Sequence, residues 1–296
     1  MELLRILALH RNEFLDTLMY LITVLAGESL AIVIICWLYW CFDKKIAILS
    51  GLAYFASGIP VQGLKITFRV PRPWVRDPNF QPVKAALSGA SGYSFPSGHT
   101  QTAASLYSTL FLTMKKKPLC LFFLLLIPAV AFSRMYLGVH TPQDVGFALL
   151  ISIPITVLIW CFCKEMSSSQ CKAFRIITLF LLLMIFILII WTYLQLASGA
   201  IDKENAADGI KSCGAALGFL LGIYIEDTRI HFAIPKSKKS ALLRFIVGLF
   251  TTLLIQKGLK PIIGTSLPAS FIRYCITTLW ITAIYPWIFV HFQKWP

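Results

Sequence analysis

Long apolar runs separated by short polar stretches divide the chain into blocks at 17–41, 44–68, 98–114, 118–138, 141–163, 173–197, 208–225, 241–257 and 271–292. An α-helix rises ~1.5 Å per residue and a bilayer core is ~30 Å thick, so about 20 predominantly apolar residues cross it. The pattern therefore predicts nine spanning helices. The seventh run is the weakest, because Gly209, Gly214, Gly218 and Gly222 dilute it, and without it the count is eight. The same glycines recur every four or five residues, a spacing that lets two helices approach closely.

Residues 1–16 mix Glu2, Arg5, Arg11, Glu13 and Asp16 with leucines. They lack the basic head and small-residue cleavage site of a secretory signal, so they are expected to be retained as an interfacial amphipathic helix. The longest polar connection, 70–96, contains Pro71, Pro73, Pro78, Pro82 and a Ser/Gly cluster at 88–92. A connection of this length without evident structure of its own is usually functional or disordered.

Composition supports the membrane reading: of 296 residues, 57% are hydrophobic and only 14% charged, too little charge to cover a soluble domain. The eight cysteines have neither C-x-x-C spacing nor nearby histidines and read as small core residues. The net charge of +14 sits at membrane boundaries rather than on one soluble face, which argues against nucleic acid as a partner. One set of connections holds Lys44, Lys45, Lys115, Lys116, Lys117, Lys164, Lys172, Arg175, Arg229, Lys236, Lys238, Lys239, Arg244 and the tail residue Lys294. The other set is as basic only if Lys65, Arg69, Arg72, Arg76, Lys84 and Arg134 are counted, and these crowd the segments described next. With them set aside, the first set is the more basic and is assigned to the cytoplasm.

Three polar segments carry candidate chemistry. In the first, Lys65 and Arg69 share a helix face at the end of the second run, and Pro71 and Pro73 end that helix and aim Arg72 beyond it. A basic helix end reaching for lipid headgroups would look the same. In the second, Pro96, Ser97, Gly98 and His99 open the third run, leaving backbone N–H groups at the positive end of a helix to bind an anion. His99 there could transfer a proton, or be an ordinary interface histidine behind a Ser cap. In the third, Arg134 lies in an apolar stretch where a charge needs a partner or ligand. Four residues apart, His140 and Asp144 can share one side of a helical turn opened by Pro142. Asp144 would then fix the His140 tautomer and leave its other nitrogen as a nucleophile, unless the pair is only a helix cap. Together the segments supply cations, backbone donors, an attacking group and an acid, the parts that phosphoryl transfer needs.

In order and spacing these segments resemble the signature of the type 2 phosphatidic acid phosphatase superfamily: K-x6-R-P as Lys65 to Pro73, P-S-G-H as Pro96 to His99, and S-R-x5-H-x3-D as Ser133 to Asp144. The resemblance implies an all-α integral membrane fold with a six-helix phosphatase core at 17–197, preceded by the interfacial segment 1–16 and followed by about three further spans at 198–296. It implies a lipid phosphate monoester or diphosphate as substrate and a phosphohistidine intermediate on His140, with Asp144 orienting it and His99 protonating the leaving oxygen. Lys65, Arg72, Ser97, Gly98 and Arg134 would bind the phosphate, with no metal and no cofactor. The expected location is the cell membrane, with the site facing outward. The stretch 224–229 and Arg273 look similar to longer members that include sphingosine-phosphate and glucose-6-phosphate phosphatases. A soluble sugar phosphate as substrate, or a lapsed enzyme that only binds lipid, are the alternatives.

Outside the signature, Glu28 lies at membrane depth and is either functional or hydrogen-bonded to a neighbouring span. Arg76 and Lys84 read as solvated loop cations, and Trp280, Tyr285, Trp287 and Phe289 as lipid-interface packing.

Overall fold

A computed structural model describes residues 1–164 and 171–291; residue 292, the last of the ninth apolar run, and Lys294 lie outside the described residues. Among the described residues the regular structure is entirely helical. Seven helices are long and apolar enough to cross a membrane, and a bent pair makes an eighth. The remaining expected span, the third run, is the helix Gly98–Thr113 of 16 residues, shorter than the ~20 residues a full crossing needs. The chain is an integral multi-pass membrane protein.

Two compact units divide the chain: residues 1–32 with 56–158, and residues 33–55 with 159–296. In the first unit, α1 (Glu2–Leu9) is a short amphipathic helix whose Leu4 is buried. Its end is tied down by charge, because Arg5 pairs with Asp77 at 2.7 Å, while Arg11 donates to the carbonyls of Gln81 and Tyr136. Asn12 caps α2 (Glu13–Val24), and after a break at residues 25–27 the chain restarts as α3 (Glu28–Trp37), bent by 47°. Glu28 is thus the exposed first residue of α3, where a helix N-terminus favours an acid. Gly27 falls in the break itself.

The helix α4 (Lys44–Phe68) matches the second apolar run and is opened by Asp43, whose carboxylate accepts the Lys45 and Ile46 N–H groups. The connection after it is ordered: a one-turn α5 (Pro73–Arg76) and a 3-10 turn at Lys84–Gly89 pack, through Ala86 and Ala90, against Tyr136, Leu137 and Val139. Arg76 hydrogen-bonds the Pro71 carbonyl and Lys84 is exposed, as expected of loop cations. The unit is completed by α6 (Gly98–Thr113), α7 (Lys117–Tyr136) and α8 (Pro142–Cys163), the last continuing into the second unit.

In the second unit, α9 (Lys172–Ala197), α10 (Lys203–Ile225), α11 (Lys238–Ile263), α12 (Leu267–Leu279) and α13 (Tyr285–His291) follow one another. The glycine ridge of α10 lies directly on α12: a Cβ on Gly214 or Gly218 would collide with the carbonyl oxygens of Phe271 or Cys275. Three single-turn π segments, Leu38–Phe42, Glu226–Ile230 and Trp280–Ile284, interrupt the helices here. The Tyr39 hydroxyl and Trp40 indole donate to the carbonyls of Thr282 and Ile281. Tyr285 and Phe289 are therefore buried rather than at a lipid interface, with Tyr285 edge-on to Trp40, and only Trp287 of that group is largely exposed. Glu226 is buried and accepts from Lys44 at 2.8 Å.

Candidate active site

The three polar segments meet inside the first unit. Helix α4 ends at Phe68, Arg69 takes a left-handed conformation (φ 48°), and Arg72 stands extended before Pro73. Proline at the first position of α5 explains why the helix cannot begin earlier. Lys65 donates to the Tyr93 carbonyl at 2.8 Å. Arg72 is buried and fully forked: Nε donates to Gly92 O at 3.0 Å, Nη2 to Ser91 O at 2.7 Å, and Nη1 to Val139 O at 3.0 Å.

The second segment forms the start of α6. The Ser97 hydroxyl caps the helix, accepting from the Thr100 N–H and hydroxyl, and the Ser97 N–H donates to Asp144 O at 3.0 Å. Gly98 and His99 fall in the first turn, where backbone N–H groups have no intrahelical acceptor. No atom beyond its chain neighbours and own helix lies within 4 Å of where a Cβ on Gly98 would stand. Gly89 of the 3-10 turn faces the His99 ring, since a Cβ there would lie 3.7 Å from its Cε1 and Nε2.

The third segment closes the site. Arg134, in the last turn of α7, is 1% exposed. Its Nη1 donates to Thr23 Oγ1 at 2.9 Å, but its Nε and Nη2 meet no acceptor among the described residues. The chain then turns at Gly138 (φ 76°), where any Cβ would meet the Phe80 ring and the Arg11 guanidinium. That turn delivers His140, itself 1% exposed, so that its Nε2 lies 2.9 Å from Arg72 Nη1. The same Nη1 lies 3.5 Å from Nδ1, so the guanidinium rests beside both ring nitrogens, and a neutral ring leaves one of them able to accept from it. Nδ1 points toward Asp144 Oδ2 at 3.7 Å, longer than a hydrogen bond. That oxygen is held instead by the Thr141 N–H at 2.7 Å and the Ser94 hydroxyl at 2.6 Å.

The structure thus brings Lys65, Arg72, Ser97, His99, Arg134, His140 and Asp144 into one electrostatically coupled cluster. Burial pushes the His140 pKa well below its ordinary 6.5, and Arg72, Arg134, Lys65 and His99 push the same way.

With this geometry in place, the decisive comparison is with family models: the one described as the PAP2 superfamily matches residues 46–168, and a second, the PAP2 superfamily phosphatase transmembrane extension, matches 210–294. The chain belongs to the PAP2 superfamily. Among curated relatives it is 29% identical to undecaprenyl-diphosphatase BcrC of Bacillus subtilis (strain 168), over 52% of this chain and 77% of that one. It is 27% identical to a probable sphingosine-1-phosphate phosphatase of Dictyostelium discoideum, over 73% of this chain and 55% of that one. It is 24% identical to sphingosine-1-phosphate phosphatase 1 of Mus musculus, over 73% and 59% respectively. The chain thus spans a little over half the length of the two sphingosine-phosphate relatives. No solved structure matches it.

Several contacts within this PAP2 cluster were not signalled in the sequence. Thr23, which holds Arg134, is 111 positions away with no motif to mark it. Ser94 adjoins the Pro-Ser-Gly-His segment but looks like any loop serine until its bond to Asp144 is seen.

The buried imidazole has a measurable consequence. In the unfolded chain His140 takes up a proton near pH 6.5, while in the fold it stays neutral well below that, so its stabilising contribution is present above pH 6.5 and declines as pH falls. The melting temperature of the detergent-solubilised protein is expected to drop between pH 7 and pH 5, with a limiting slope of about 1.4 kcal/mol per pH unit from this group. A His140→Asn form should lose less over the same range; equal losses would remove His140 as the source.

Proposed function

We propose that the chain is a membrane phosphatase that hydrolyses a lipid phosphate monoester or diphosphate through a phosphohistidine. One observation carries this reading: a buried guanidinium, Arg134, keeps two donor nitrogens without acceptors among the described residues, beside a second arginine and a neutral imidazole. Buried charge is costly unless something anionic completes it, and a phosphoryl group offers the three oxygens that two arginines, Lys65 and the α6 N-terminus can share.

On this reading the lone pair of His140 Nε2 attacks phosphorus and forms a P–N bond while the ester P–O bond breaks. Its electron pair goes to the leaving oxygen, which takes a proton from His99. Asp144, held by Ser94 and Thr141, stabilises the charge that develops on Nδ1. Water then gives a proton to His99 as its oxygen bonds to phosphorus. The P–N bond breaks, its electrons return to Nε2, and inorganic phosphate leaves. Side chains and backbone N–H groups alone perform each step, so no metal is assigned a role.

The named relatives act on lipid-borne phosphates, which supports an amphiphilic substrate. The asymmetry of cations across the connections supports an outward-facing site, and the six-span core at 17–197 with the extension 198–296 remains the proposed division. The test is phosphate release by purified protein from sphingosine 1-phosphate, undecaprenyl diphosphate, phosphatidate and glucose 6-phosphate, with a divalent-metal chelator present throughout. At least one lipid phosphate is expected to be turned over, faster than the sugar phosphate. Inertness toward every lipid, or a strict need for added metal, would sink this reading.

A further inference from the structure

Beside the phosphate cluster stands a ladder of three aromatic rings. Phe68 packs edge-on against Phe95, with centroids 5.5 Å apart and planes at 84°, and Phe95 packs against Phe147 at 5.1 Å and 67°. Each ring comes from a different segment of the site. Phe68 closes α4 between Lys65 and Arg72, and Phe95 lies between Ser94, which holds Asp144, and the Ser97 cap. Phe147 follows Asp144 by one turn of α8.

Outward-facing aromatics on a span are ordinary, because lipid is as apolar as they are. This ladder differs in that its middle rung belongs to the anion-binding loop itself, while its outer rungs stay open: Phe68 is 59% and Phe147 48% exposed. Leu150, 66% exposed and one turn further along α8, continues the apolar face away from the phosphate cluster. A group anchored by its phosphate at Arg134 and Arg72 therefore meets an uncovered apolar wall that begins at the cluster and continues along a spanning helix.

We propose that Phe68, Phe95 and Phe147 seat the hydrocarbon chain next to the ester oxygen of the substrate, and so set the preference for lipid over water-soluble phosphates. The inference rests on the phosphatase reading above and deepens it by assigning chain recognition to named residues. Contact with the ladder is made equally before and during phosphoryl transfer, so it governs KM and leaves kcat nearly alone.

The test compares butyl phosphate with hexadecyl phosphate at fixed detergent concentration, in wild type, Phe68→Ala, Phe147→Ala and the double variant, with Phe147→Leu as a form that keeps apolar bulk. Wild type is expected to show the lower KM for the long chain. The double variant should raise that KM by about tenfold with kcat within about twofold, and Phe147→Leu should lie between. Butyl phosphate turnover, which does not need the ladder, also reports whether each variant is folded. Unchanged hexadecyl KM in the double variant, or an equal loss on both substrates, overturns the ladder while leaving the phosphatase reading intact. A wild type that turns over lipids of the panel above but shows no KM preference for the long alkyl chain overturns the ladder alone, and one that hydrolyses neither alkyl phosphate nor any lipid of that panel overturns both.

Discussion

Replacing His140 with alanine is expected to lower phosphate release by about 10⁴-fold or more, the largest effect of any single substitution in this chain. The expectation follows from position. His140 sets its Nε2 2.9 Å from Arg72 Nη1, inside the phosphate cluster, and its Nδ1 3.7 Å from Asp144 Oδ2. Removal of a proton donor costs about 10²–10⁴-fold because water substitutes in part, so His99→Ala should retain more activity than His140→Ala. Removing the attacking atom leaves only substrate positioning. Rapid quenching after mixing with a substrate labelled in its phosphoryl group should find acid-labile label on wild-type protein and none on the His140→Ala form. Label that persists in the variant, or substantial residual turnover, would reassign the nucleophile.

Arg134→Met is expected to move activity and stability in opposite directions. The methionine fills much of the same volume, yet removes a buried charge of which two donor nitrogens are unmatched among the described residues. Each unmatched buried donor costs about 1–3 kcal/mol, so melting of the substrate-free variant should occur at a higher temperature than wild type. Catalysis should fall by about 10²–10³-fold, the loss typical when one donor to a developing oxyanion is removed. Inorganic phosphate should raise the melting temperature of wild type by mass action and leave the variant unmoved. A variant that is less stable and still responds to phosphate would show that Arg134 serves the packing of α7 rather than an anion.

Much of this was legible in the sequence because the bilayer imposes a simple rule of length and polarity. The run 44–68 coincides with α4, and the three polar segments, whose order and spacing resemble a known signature, meet from stretches as distant as Lys65 and Asp144. The i,i+4 placement of His140 and Asp144 was legible, although they stand 3.7 Å apart without a hydrogen bond and the carboxylate is held by Ser94 and Thr141. What escaped was set by packing rather than by composition. The break at residues 25–27 was hidden in a continuous apolar run, and it is this end of α2 that offers Thr23 to Arg134. The π segments leave no mark in hydropathy, so Tyr285 and Phe289 looked like interface aromatics when they fill the interior. Nor does a list of phenylalanines reveal that three of them, from three segments, pack edge-on in a row.

The fork of Arg72 has a last implication. Its Nη1 lies 2.9 Å from Nε2 and 3.5 Å from Nδ1, against the same imidazole that is assigned to strike phosphorus. The guanidinium therefore acts as a stopper on the imidazole, and a phosphoryl oxygen must draw it aside before the nitrogen is bared. Acylating reagents that seek out histidines should for that reason meet a masked ring, and reactivity would be granted only by the arrival of the anion to be cleaved.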